Sequence, residues 1–84
     1  MTKTEALIYV SDDCHSCQKL INKMDEWEVT YQIKNITDNK ENKKEMQEHG
    51  IYGTPATFIK ERKEPILGYQ INKIKRALNI KDFT

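Results

Sequence analysis

Cysteine is scarce in this 84-residue chain: there are two, and both lie in the stretch Cys14-His15-Ser16-Cys17. Structural zinc usually takes four protein ligands, commonly as two pairs. No second C-x-x-C and no H-x-x-x-H is present, so His15 and His49 are the only histidines left to complete such a site. Long apolar runs are also lacking. The run Ala6 to Val10 is too short for a secretory signal or a membrane span, so a cytoplasmic protein with no membrane association is expected. Excess charge of one sign is missing as well, with 14 Lys and Arg against 13 Asp and Glu. That balance argues against a broad electrostatic footprint for nucleic acid. There are no repeats, linkers or low-complexity tracts, and the length fits one domain, residues 1–84, with a modest core. A monomer is expected. In a reducing compartment a lone C-x-x-C points to catalysis or metal binding before it points to a structural staple.

What the chain does have is a C-x-x-C at a strand-to-helix junction. Ala6 to Val10 reads as a buried strand of a parallel sheet. Ser11, Asp12 and Asp13 break it and can cap a helix. That helix runs to about Trp27, with Cys17, Leu20, Ile21, Met24 and Trp27 on one face. The first turn of a helix presents unpaired N–H groups and partial positive charge, both of which favour an anion. The thiolate is the nucleophile of thiol–disulfide exchange, so Cys14, exposed at the helix start, is the candidate attacking group. Cys17 lies about one turn on, nearer the core, and is the candidate resolving thiol. The same residues leave two other readings open: inert core cysteines, or a binding module in which Cys14, Cys17 and His15 hold a metal or a partner. A cationic His15 would stabilise the Cys14 thiolate, and Asp12 and Asp13 oppose it.

Downstream, Val29, Tyr31 and Ile33 alternate with polar residues as a second strand, parallel to the first with a right-handed crossover. Thr37 or Asp38 caps a polar helix that runs to about His49, with Met46 as its main apolar contact and Gly50 at its end. Pro55 opens a strand, Ala56 to Ile59. Glu61-Arg62-Lys63-Glu64 is a turn of about four residues into Ile66-Leu67, making an antiparallel hairpin. Ile71, Ile74, Ala77 and Leu78 mark a last amphipathic helix.

This order of elements, the length and three motifs resemble the glutaredoxins of the thioredoxin superfamily over nearly the whole chain. The motifs are the C-x-x-C after the first strand, Gly53-Thr54-Pro55 before the third, and Gly68-Tyr69 before the last helix. The resemblance implies a thioredoxin-like α/β fold, β-α-β-α-β-β-α, with a four-stranded mixed sheet flanked by three helices. It implies a thiol–disulfide oxidoreductase that acts as an electron carrier, needs no cofactor beyond its own dithiol and reduces a disulfide-containing protein. It also implies a cis Pro55 beside the dithiol, with Thr54 pairing in strand fashion with a substrate chain. His15, Gly68 and Tyr69 join Thr54 and Pro55 as the implied substrate-binding set. Tyr9 and Tyr52 are candidates for the groove wall, and Tyr9 equally for the core.

Two departures from the family pattern bear on the electron donor. Glutaredoxins commonly carry Pro-Tyr between the cysteines, where this chain has His15-Ser16. They also carry a Gly-Gly and an acidic pair that hold glutathione, where this chain has Gly68-Tyr69-Gln70-Ile71-Asn72-Lys73, with one Gly and no acid. The segment is more similar to the NrdH-redoxins, which take electrons from thioredoxin reductase and pass them to ribonucleotide reductase. Glutathione is the alternative donor.

Overall fold

An unbroken apolar run puts apolar side chains on both faces of a strand, and β1 (Ala6–Val10) uses both. Ala6, Ile8 and Val10 enter one core cluster, while Leu7 and Tyr9 enter another. The computed structural model describes residues 5–60, 62, 64–78 and 80. After β1 come α1 (His15–Glu26), β2 (Tyr31–Asn35), α2 (Lys40–Glu48), β3 (Ala56–Ile59), β4 (Ile66–Leu67) and α3 (Ile71–Ala77). The strands form one sheet in the order β2-β1-β3-β4. β1 runs parallel to β2, with Ala6 opposite Tyr31, and antiparallel to β3, with Ala6 opposite Ile59. β4 closes an antiparallel hairpin on β3. This is the mixed four-stranded sheet that the resemblance implies.

The two faces of the sheet are covered differently. Cys17, Leu20 and Met24 of α1 and Ile74 of α3 pack with Ala6, Ile8, Val10, Ile59 and Ile66 on one side. Met46 of α2 packs with Tyr9, Ile51 and Ala56 on the other. A polar clamp reinforces that thinner second core. The Tyr9 hydroxyl donates to Glu45 Oε1, and Lys34 Nζ donates to the same oxygen at 2.6 Å. Burial, then the neighbouring carboxylate, pushes the Tyr9 phenol up, so it stays a donor at every ordinary pH. The bonds from Lys34 and then Tyr9 hold the Glu45 carboxyl below its usual range. Among the described residues no helix is long and apolar enough to cross a membrane.

Three boundaries differ from the sequence reading. Asn39, not Thr37 or Asp38, caps α2, its Oδ1 accepting from the N–H of Glu41 and Asn42. Thr37 and Asp38 are already committed to a turn, because both their N–H groups donate to Asn35 Oδ1. β2 starts at Tyr31 and not Val29, whose N–H donates to Met24 O at the end of α1. Its alternation is also weaker than expected: Ile33 is 39% exposed on this edge strand and Lys34 is half-buried. The end of α1 agrees with that reading: Glu26 is its last helical residue, and Trp27 is its C-cap and a half-buried packing residue on the larger core. The connection from β3 to β4 spans residues 60–65, longer than the expected four. Glu61 and Lys63 of the expected turn lie outside the described residues. Gly50 does end α2, with φ +78, a conformation that glycine adopts without the Cβ penalty.

One core residue is mismatched to its surroundings. Thr57, on β3 between Ile8 and Ile66, is fully buried, and its Oγ1 has no hydrogen-bond partner. A buried hydroxyl without a partner costs about 1–3 kcal/mol in protein cores. Thr57→Val keeps the shape and removes that hydroxyl. It should raise stability by about 1 kcal/mol in a urea melt; a loss of stability would mean that the hydroxyl has a partner in solution.

Candidate active site

β1 delivers the chain to Ser11, and a tight turn follows. Asp13 takes φ +57, a left-handed conformation that Asp tolerates better than most residues. That turn leaves Cys14, and not Ser11, Asp12 or Asp13, as the N-cap of α1, with extended φ −100 and ψ 101. The expected capping by the Ser11–Asp13 stretch is therefore replaced by capping through sulfur: the Cys17 N–H points at Cys14 Sγ, 3.1 Å away. Asp12 is tied elsewhere, its N–H donating to Thr37 Oγ1 and its Oδ1 accepting from Asn35 Nδ2.

Cys14 and Cys17 are joined in a disulfide, with Cα atoms 5.2 Å apart. The two sulfurs see different surroundings. Cys17 is 3% exposed and belongs to the larger core, whereas Cys14 is half-buried at its rim. Any negative charge on Cys14 Sγ lies at the positive end of a twelve-residue helix and accepts from a backbone N–H.

The loop before β3 faces the dithiol. The Thr54–Pro55 peptide bond is cis, as the resemblance implied, and Pro55 is buried. Thr54 Oγ1 lies 3.8 Å from Cys14 Sγ and 2.7 Å from Ser11 Oγ. Gly68, at φ +76, donates its N–H to Pro55 O at 2.8 Å, so the Gly68 turn is fastened directly to the proline loop. Tyr69 is half-buried against the larger core, with Lys19 Nζ 6.0 Å from its ring centroid. The structure thus brings Cys14, Cys17, Thr54, Pro55 and Gly68 together through direct contacts, with Tyr69 next in the chain. His15 is exposed at the first position of α1 and lines the same cleft as Asp12, Asp13 and Cys14. Tyr9 is not part of the site: it is buried in the α2-side core against Phe58. Tyr52 stands 77% exposed two residues before Thr54.

The sequence profile of the glutaredoxin family matches residues 6–63. The chain belongs to the glutaredoxin family. It is a thiol–disulfide oxidoreductase of that family, and its redox pair is Cys14 and Cys17. Among curated proteins it is 26% identical over 76 residues to the Gene 56 protein of Mycobacterium phage D29, covering 90% of this chain and 84% of that one. A variant of the thioredoxin-like protein BC3987 superposes with a TM-score of 0.82 at 22% identity, over 94% of this chain and 100% of that one. The glutaredoxin of Archaeoglobus fulgidus gives 0.73 at 22% identity, over 89% and 86% of the two chains. At those identities the two structures establish the thioredoxin-like fold of this family member.

Sequence reasoning assigned Ser11 only to a helix-capping stretch and missed its bond to Thr54. A hydroxyl residue at the carboxyl end of a central strand, just ahead of a C-x-x-C, is the signal that was available.

Proposed function

We propose that the protein is an electron carrier that reduces protein disulfides, with Cys14 as the attacking thiolate and Cys17 as the resolving thiol. The observation that carries this assignment is the unequal burial of the two sulfur-bearing residues across one disulfide. In the reduced protein the Cys14 thiolate attacks one sulfur of a substrate disulfide. A Cys14–substrate disulfide forms and the other substrate sulfur leaves as a thiolate, which takes a proton. Cys17 then loses its proton, attacks Cys14 Sγ and expels the second substrate thiolate. Two electrons have moved from the dithiol to the substrate, and the Cys14–Cys17 disulfide remains. No cofactor is needed, because the dithiol carries both electrons. Thr54 and Pro55 shape the docking groove, with His15, Gly68 and Tyr69 at its margins.

Thioredoxin reductase recharges the dithiol in the cytoplasm, and the acceptor is a disulfide-bearing protein such as ribonucleotide reductase. What supports that donor over glutathione is the stretch Gly68 to Lys73, which has one glycine and no acid to hold glutathione's charged end. Membership of the glutaredoxin family supports glutathione as the second reading. Insulin reduction with NADPH and thioredoxin reductase, run beside glutathione with glutathione reductase, separates the two. Turnover with thioredoxin reductase at least about tenfold faster is expected; the reverse ratio sinks that donor assignment. A Cys17→Ser variant should also retain its acceptor as a mixed disulfide at Cys14, because the resolving step is blocked. Adducts absent from residue 14 on mass spectrometry would reverse the assigned roles.

A further inference from the structure

We propose that Ser11 is a positioning residue: its hydroxyl aims the Thr54 proton at Cys14 Sγ, so that the two hydroxyls act as one donor chain to the thiolate. The inference rests on Cys14 being the attacking thiolate. Ser11 Oγ and Thr54 Oγ1 are 2.7 Å apart, and Thr54 Oγ1 is 3.8 Å from Cys14 Sγ. Between two hydroxyls either oxygen can donate. If Thr54 donates to Ser11, its proton is turned away from the sulfur. If Ser11 donates to Thr54, the Thr54 oxygen has its acceptor role filled and its own proton is free to point at Cys14. A negative sulfur selects the second sense, because a hydrogen bond to an ion is about twice as strong as one between neutral groups.

Without the Ser11 hydroxyl, the Thr54 rotor has no fixed acceptor role and its proton is shared among other orientations. Ser11, Thr54 and Cys14 are all half-buried, which makes the orientation count for more than it would in open water. The chain is not the only support for the charge. The Cys17 N–H donates to the same sulfur at 3.1 Å and would persist in any Ser11 variant, so the effect is a shift and not a loss. The ionisable groups sharing the cleft with Cys14 are Asp12, Asp13 and His15. The facing loop, residues 51–55, brings no charged side chain at neutral pH, only Tyr52, and the Gly68 turn brings Tyr69. All of these stay in place when Ser11 is changed.

The test is the pH dependence of iodoacetamide alkylation of Cys14 in the reduced protein, followed by mass spectrometry. Thr54→Val should raise the alkylation midpoint by roughly one pH unit, and Ser11→Ala by roughly half that. The double variant should match Thr54→Val alone, since Ser11 acts only through Thr54. A purely structural role for Ser11 would lower the melting temperature without moving the midpoint. An unmoved midpoint in folded Ser11→Ala overturns the proposal, as does a Ser11→Ala shift that adds fully to that of Thr54→Val. Ser11→Gly replaces the alanine variant should the latter fail to fold. Insulin reduction is measured in parallel on the unaltered protein. Failure there removes the electron-carrier reading and leaves the alkylation result standing, whereas failure of the alkylation shift leaves the carrier reading intact.

Discussion

Cys14→Ser will reduce insulin disulfides no faster than the uncatalysed background, a loss of more than about a hundredfold. The reason lies in what the site supplies. The end of α1 and the Cys17 N–H stabilise a negative charge that a thiol can form near neutral pH. A serine hydroxyl in the same place stays protonated there, and oxygen is also the poorer nucleophile toward a disulfide sulfur. The remaining thiol, on Cys17, is 3% exposed and cannot be reached by a substrate disulfide without displacing the core around it. The check is steady-state insulin reduction with folded variant protein. Retention of a tenth of the parent rate would show that Cys17 attacks directly, and the division of labour between the sulfurs would have to be redrawn.

The second large effect concerns stability. Leu20 is fully buried on the inner face of α1, between the buried Cys17 and Met24, and it contacts the core that Ile8, Ile66 and Ile74 also build. Truncating such a side chain removes its transfer free energy and leaves a cavity that the sheet cannot wholly collapse, together about 3 kcal/mol. Domains of this size are held by roughly 5–10 kcal/mol in total. Leu20→Ala should therefore remove a large part of the stability and lower the melting temperature by roughly 12–24 °C. Ile33→Ala is the control. Ile33 is 39% exposed on the edge strand β2, and its truncation should cost about 0.5 kcal/mol. Equal effects of the two substitutions, read from urea melts, would mean that α1 does not seal the larger core.

The parts of this protein that could be read from its sequence are those governed by strong local periodicity. The apolar run of β1 and the helical spacing of Cys17, Leu20, Met24 and Trp27 fixed the first strand, the first helix and the face it buries. The C-x-x-C and Thr54-Pro55 located two halves of the site, and the structure brings them into contact. What could not be read were competitions between equally good local partners. Thr37, Asp38 and Asn39 are all fit to cap a helix, and Asn35 decides among them by taking the first two N–H groups into a turn. Val29 looks like a strand residue by alternation, and its N–H is claimed by the end of α1. Tyr9 fits a groove or a core equally well by composition; Glu45, 36 residues away, accepts its hydroxyl and places it on the face opposite the site. The link from Ser11 to Thr54 spans 43 residues and has no periodic signature.

That long reach has a consequence during synthesis. Thr54 lies 40 residues beyond Cys14, and β3, which carries the proline loop, pairs directly with β1. A growing polypeptide leaving the ribosome displays both cysteines before the loop that faces them emerges. Until β3 emerges and zips onto β1, the nascent pair has no Thr54 beside it, and the mature environment of its sulfurs is assembled only once that pairing is made.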